Sequence, residues 1–125
     1  MVHMKQTIKK GRICTLMEIA DVEVMTKKNR AKYERLRRLN APFYLVLRRE
    51  DEDTVLCVPL TNSSFKHTYA VNVYGISYSA EYLSFISVKD EWLESPYTTV
   101  GNTFHTIDQI YRLRERHTKE VIRKN

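Results

Sequence analysis

FYLVLRREDEDTVLCVPL, residues 43–60, consists of two apolar segments separated by four consecutive acidic residues. Each apolar segment has the length and the β-branched and aromatic content of a strand. The acidic run is most simply a solvated hairpin tip, because a metal site there would need further ligands from elsewhere in the chain. The stretch therefore predicts an antiparallel hairpin at the centre of the fold.

Three further segments are predicted to be strands. Residues 11–20 (GRICTLMEIA) alternate apolar side chains on one face, and residues 69–74 and 83–88 are apolar runs joined by Tyr-rich connections. Short sequential strands of this kind close most easily into a small, strongly twisted antiparallel barrel with helices at its edge. We therefore expect a single-domain α+β fold, an SH3-like antiparallel β-barrel with two basic helices.

The first helix is predicted over residues 27–39, with Thr26 as its N-cap. Pro42 ends it, because a proline disfavours helical backbone at the residue before it. Its apolar stripe is narrow and its like charges repel one another at i,i+4 spacing, so an anionic partner would stabilise it. The basic residues of this helix predicted to bind nucleic acid are Lys27, Lys28, Arg30, Lys32, Arg35, Arg37 and Arg38, and Arg112 of the second helix is predicted to bind with them.

The second helix is predicted from Thr106, where Thr106 and Gln109 have capping-box spacing. Apolar positions and His117 then keep helical spacing towards the C-terminus, and the remaining positions are rich in Lys and Arg. His117 lies on the apolar face, which favours structural packing over a functional role for its side chain.

Composition excludes several classes of protein. With 125 residues, 42% hydrophobic and 29% charged, the chain has the make-up of one folded domain, and no apolar run is long enough for a membrane span or signal peptide. Residues 1–4 (MVHM) are expected to be an expression remnant, and residues 1–10 to be flexible in part. Cys14 and Cys57 are expected to be buried free thiols of a cytoplasmic protein rather than a disulfide. The net charge of +6 favours polyanion binding.

The loop 59–67, PLTNSSFKH, resembles the toxin ribonucleases of the MazF/PemK (Kid-like) and ToxN/AbiQ groups, in which a strand ends in a Pro-apolar-Thr/Ser-Ser motif followed by Lys and often His. Three other stretches agree with this resemblance. They are the opening Gly11-Arg12-Ile13, the Pro42 that precedes an apolar strand, and the later Asp108-Gln109-Ile110. The resemblance implies a PemK-like barrel from about residue 11 to residue 116.

Two positions depart from the family pattern. Ala41 stands where MazF-like enzymes have an Arg before the Pro, and Asn62 interrupts the Thr-Ser pair. Arg37, Arg38 or Arg112 could replace the missing side chain, because a planar guanidinium binds phosphate through two hydrogen bonds.

The resemblance implies RNA cleavage without metal or cofactor, in which the 2′-hydroxyl attacks the adjacent phosphorus and leaves a cyclic phosphate. Thr61 and Ser63 would hold the phosphate, Lys66 would neutralise it, and His67 or His105 would exchange the proton. Each residue also has a structural interpretation. Ser and Thr cap turns, a loop His is often only exposed, and His105 would simply precede a helix.

The first interpretation is thus a selective endoribonuclease, the toxin of a toxin–antitoxin system, with RNA, an acidic protein or structured RNA antitoxin, and a second copy of the chain as partners. The alternatives are a non-catalytic nucleic-acid-binding regulator of the same fold and an interaction domain that docks an acidic protein. Eight tyrosines, among them Tyr69, Tyr74, Tyr78 and Tyr82, are mostly structural in this view, with one or two available to stack bases.

Overall fold

The structure, a computed structural model, describes residues 8–20, 22–63, 66–95 and 103–124; the expected remnant at residues 1–4 lies outside this part of the chain. It contains seven strands, two α-helices and two short 3₁₀ turns, Val22–Val24 and Asp90–Trp92. The helices and strands, in chain order, are β1 (Ile13–Leu16), α1 (Lys27–Leu39), β2 (Phe43–Arg49), β3 (Thr54–Thr61), β4 (Thr68–Val73), β5 (Ile76–Glu81), β6 (Ile86–Lys89), β7 (Leu93–Glu94) and α2 (Thr103–Lys124).

The strands form one antiparallel sheet in the order β4-β5-β3-β2-β1-β7, and the first half of β3 also pairs with β6. The predicted hairpin is confirmed as β2–β3, which aligns Phe43 with Leu60 and shifts register between Val46 and Arg48. The α+β class and the two basic helices are confirmed as well. The sheet is not closed, however: among the described residues the pairing runs from β4 at one edge to β7 at the other.

The expected closed barrel is absent from the described chain because the sheet is covered by a helix on each face. Consecutive residues of β2 are buried on opposite sides: Tyr44 and Val46 belong to one core cluster, Leu45 and Leu47 to the other. Tyr33 and Leu36 of α1 complete the first cluster, and Ile107 and Ile110 of α2 complete the second. The apolar side chains thus fill two layers rather than one barrel interior.

Helix α1 forms over the predicted residues, is capped at both ends, and is hydrogen-bonded to the segment that follows β1. The Thr26 hydroxyl accepts the Asn29 N–H at 3.2 Å, and Asn40 ends the helix with a left-handed φ of 50°. The Tyr33 hydroxyl donates to the Met17 carbonyl at 2.7 Å. The apolar stripe is narrow, as the sequence indicates, but a tyrosine hydrogen bond strengthens it.

Several predicted boundaries are wrong. The opening strand spans Ile13–Leu16 rather than residues 11–20, and the strand predicted over residues 83–88 spans Ile86–Lys89. Helix α2 begins at Thr103 rather than Thr106, so His105 lies inside the helix. The stretch expected to be a Tyr-rich connection holds strand β5, which pairs with β4 through a two-residue turn. Tyr74 and Gly75 make that turn, with φ values of 49° and 85°, and both positive angles fit the twist of a tight hairpin.

Candidate nucleic-acid interface

The basic residues of α1 divide into two groups on different sides of the helix. Lys32 and Arg35 line a groove with Leu39, Phe85 and Ser87, so this group faces β6. Arg30 and Arg37 line another depression beside Glu34, whose carboxylate lies 3.9 Å from the Arg37 guanidinium. The remaining predicted residues, Lys27, Lys28 and Arg38, are exposed. The helix therefore presents a lined basic groove rather than a uniform charged surface.

A second groove, of about 640 Å³, lies on the α2 side of the sheet. Its basic residues are Arg48, Arg114 and Lys119, and its aromatic residues are Phe85 and Tyr111. Lys119 is paired with Glu115 at 3.2 Å, which leaves the two arginines as the principal positive charges of the groove. Phe85 lines this groove as well as the α1 groove, so the two basic surfaces meet at one aromatic ring.

Arg114 organises the surface around Phe85. Its guanidinium carbon lies 4.1 Å from the centre of the Phe85 ring, and its Nη1 donates to the Tyr82 carbonyl at 3.1 Å. Tyr111 meets the same ring edge-on, with centroids 5.6 Å apart. Nothing local in the sequence distinguishes Arg114 from the other basic residues of α2, because its partners come from the β5–β6 connection.

The loop after β3 does not place all the predicted catalytic residues together. The Thr61 hydroxyl lies 3.3 Å from the Ser63 carbonyl and 3.4 Å from the Ser79 carbonyl, so its single proton is directed at backbone acceptors. Ser63 and Lys66 are exposed. Thr61 and Ser63 therefore fit the turn-capping interpretation that their residue types also suggested.

His67 makes the contacts that single out this loop. Its Nδ1 lies 3.4 Å from the Tyr82 hydroxyl, and its ring centre lies 4.5 Å from that of His117 on α2, with the planes inclined at 60°. Its backbone has a φ of 64°, in the left-handed region. His117 is half-buried and contacts an exposed imidazole in addition to its place on the helix.

His105 and Arg112 lie apart from this pair. His105 is exposed in the first turn of α2, twelve residues before His117, and is therefore about 18 Å from it along the helix axis. Arg112 is exposed and two residues before Arg114, so it points to nearly the opposite side of α2. His105 and the pair of His67 and His117 therefore lie towards opposite ends of α2.

The position of Ala41 lies at the same end of the hairpin as Thr61. Phe43 pairs with Leu60, so Pro42 lies beside Thr61 in the register of the two strands. Arg37 lines a cavity of about 310 Å³ together with Ala41, Pro42 and Tyr44. Of Arg37, Arg38 and Arg112, Arg37 is the one that lines this cavity beside Ala41.

The two cysteines are free and buried, as predicted. Burial raises the pKa of the Cys14 thiol to about 11 and raises that of Cys57 well above its ordinary value. The described residues include no group of three or more His, Cys, Asp or Glu side chains able to hold a metal ion. Within the described chain, neither helix has the length and apolar character to cross a membrane.

Comparisons with protein-family models, with curated proteins and with solved structures yield no match to this chain. The features of this chain that bear on its function are therefore the two grooves and the residues around Phe85 and His67.

Proposed function

We propose that the protein binds single-stranded RNA along a path that runs from the α1 groove, across Phe85, into the α2 groove, and that it cleaves the bound strand. The observation that carries the proposal is the sharing of Phe85 by two grooves whose other residues include Lys32, Arg35, Arg48 and Arg114. Basic side chains on both sides of an aromatic ring match a polyanion with unpaired bases.

The phosphates and the bases of the RNA each have a suitable partner along this path. Lysine and arginine neutralise phosphates, and this sequence-independent term supplies most of the affinity of proteins for nucleic acids. A base stacks on an aromatic ring or on an arginine plane. The Arg114 guanidinium, which lies over Phe85, provides such a plane at the junction of the grooves.

The same proposal includes a biological role, that of a cytoplasmic toxin endoribonuclease neutralised by an antitoxin. It is supported by the resemblance of residues 59–67 to the MazF/PemK and ToxN/AbiQ toxins and by an antiparallel sheet in which the long strand β3 pairs with β2, β5 and β6. In this proposal the sheet corresponds to an opened PemK-like barrel. Cleavage proceeds by attack of the 2′-hydroxyl and needs no metal.

Charge reversal within α1 tests the binding path. Lys32→Glu with Arg35→Glu alters the groove that faces Phe85, whereas Arg30→Glu with Arg37→Glu places the same charge change on the other side of the helix. We expect the groove variant to weaken binding of a single-stranded RNA at least tenfold more and to reduce the salt slope by about two. Equal losses would mean that net charge alone governs binding and would contradict the path.

Cleavage is tested separately, by incubating purified protein with RNA in EDTA and analysing the 3′ ends for cyclic phosphate. Growth and RNA integrity are followed together when expression is induced. A second candidate, the non-catalytic regulator, is favoured by Ala41 and by the engagement of the Thr61 hydroxyl with backbone carbonyls. Tight RNA binding with intact RNA and normal growth would select that candidate.

A further inference from the structure

We propose that His67 and His117 are the acid–base pair of the RNA cleavage, an inference that rests on the proposed function. The loop resemblance implies proton exchange for His67 and helical spacing favours packing for His117, whereas the fold brings their ring centres to 4.5 Å. His67 comes from the loop before β4 and His117 from α2. A contact between two imidazoles from distant parts of the chain is the basis of the assignment.

The surroundings of the pair connect it to the RNA path. The Tyr82 hydroxyl lies 3.4 Å from Nδ1 of His67, and Arg114 donates to the Tyr82 carbonyl. Arg114 is one helical turn before His117, and Thr118, the next residue, lines the α2 groove. In this proposal the two imidazoles lie beside the groove, next to Thr118.

The backbone of His67 gives a second, independent observation. A φ of 64° is uncommon for a residue other than glycine, and such conformations concentrate at functional sites. A glycine or asparagine would adopt this conformation more easily. With this backbone conformation, the ring of His67 faces Tyr82 and His117.

The chemistry needs one proton acceptor and one proton donor, and an imidazole can be either near neutral pH. The neutral imidazole takes the proton of the 2′-hydroxyl while the 2′-oxygen forms a bond to phosphorus. The protonated imidazole gives its proton to the leaving 5′-oxygen as the phosphorus–oxygen bond breaks. After the step the first imidazole is protonated and the second is neutral, and no other reactant is consumed. The phosphate lies across the edges of the two rings, so that one imidazole reaches the attacking 2′-oxygen and the other reaches the leaving 5′-oxygen on the opposite side of the phosphorus.

The test uses the full chain and a single-stranded RNA oligonucleotide, with binding and cleavage measured on the same samples. His67→Gly suits the left-handed backbone, and His117→Gln keeps a polar side chain on α2. We expect each variant to bind RNA within about threefold of the unaltered protein but to cleave about 10²–10⁴-fold more slowly. Added imidazole should restore part of the rate to His67→Gly, a rescue that a purely structural role would not give.

Glu120→Gln, an exposed change three residues after His117, is the matched control and should cleave normally. Cleavage that persists at the normal rate in both histidine variants would overturn the assignment while leaving the proposed function intact. Loss of cleavage that imidazole does not restore, together with lost RNA binding, would also overturn it and would assign the pair a structural role. If the unaltered protein binds RNA and never cleaves it, the catalytic part of the proposed function fails, and the assignment fails with it.

Discussion

The guanidinium of Arg114 lies over the ring of Phe85, 4.1 Å from its centre, and also donates to the Tyr82 carbonyl. One side chain of α2 therefore fixes the β5–β6 connection and shapes the surface where the two basic grooves meet. In the proposed RNA path, binding and local structure are coupled at this residue. The consequence is that its removal should affect RNA affinity more than removal of an equally charged neighbour.

Replacing Arg114 by Ala should lower affinity for single-stranded RNA about tenfold or more and reduce stability by about 1–2 kcal/mol. The loss combines a phosphate contact, a stacking plane and a hydrogen bond from a charged donor. Arg112→Ala removes the same charge from an exposed position and should weaken binding only slightly. Titrations at two salt concentrations and thermal unfolding measure both effects. Equal affinity losses would contradict the special position of Arg114.

The elements that the sequence predicts correctly depend on neighbours in the chain. The β2–β3 hairpin follows from two apolar runs and an acidic turn, and α1 follows from Thr26 and a run of good helix formers. Strand β5 was missed although ISYSAE alternates apolar and polar residues and the preceding Tyr74-Gly75 turn is a usable signal. That the sheet stays open could not be predicted from local patterns, because it depends on where the helices pack.

The sequence predicts only part of the candidate site, because the site also depends on contacts between distant parts of the chain. The loop sequence draws attention to His67, but its partner His117 has the spacing of an apolar-face residue and is far away in sequence. Arg114 and Phe85 carry no local motif either. Contacts of this kind arise from the packing of α2 against the sheet, and helix periodicity alone does not define which strand connection the helix will face.

An ion pair between a partly exposed arginine and a buried carboxylate joins the hairpin to the 3₁₀ turn after β6. Arg49 Nη1 lies 3.1 Å from Oδ2 of Asp90, whose side chain is only 3% exposed. Arg49 also donates to the carbonyls of Ile8, Asp51 and Glu52. Asp90→Ala should destabilise the protein by about 3 kcal/mol, because removing the buried carboxylate leaves the guanidinium without its ion-pair partner.

Urea unfolding of Asp90→Ala measures this loss, and Glu91→Ala is its neighbouring exposed control, expected to change stability by less than about 0.5 kcal/mol. The value for Asp90 is placed at the lower end of the usual range because Arg49 keeps its backbone acceptors. A change for Asp90→Ala as small as that of the control would show that the pair contributes nothing to folding.

Gly11 lies where α2 approaches the sheet. Its φ is +90°, and a Cβ built on it would lie 2.7 Å from Oγ1 of Thr103 and 3.0 Å from a Phe104 ring carbon. Gly75 has a similar φ of +85° but open space around it. Gly75→Ala should therefore cost about 1–2 kcal/mol from backbone strain, and Gly11→Ala a further 1–3 kcal/mol, roughly, from the clash with α2. Chemical denaturation of both variants measures the difference, and equal values would contradict the close contact.

Alkaline pH should destabilise the protein through three buried groups of the α1-side core: Cys57, whose pKa burial raises well above its ordinary value, and the two groups Cys14 and Tyr44. Burial raises the pKa of Cys14 from 9.0 to about 11 and that of Tyr44 from 10.0 to about 12. Because the folded-state values lie above the unfolded ones, the neutral forms favour the folded state. Their contribution is complete below about pH 9 and is lost as pH rises through about 11 for Cys14 and about 12 for Tyr44.

The contribution of these groups to the free energy of unfolding should therefore be constant between pH 7 and 9 and should fall steeply above pH 9. Cys14→Ala removes one of the three groups, so it should be less stable than the unaltered protein at neutral pH but show a shallower alkaline decline. Alkylation with iodoacetamide at pH 8 gives an independent measure. With a pKa of about 11, only about 0.1% of Cys14 is thiolate at that pH, so labelling should require unfolding. Rapid modification of Cys14 in the folded protein, or an alkaline slope unchanged in Cys14→Ala, would show that this thiol is not held neutral by the core.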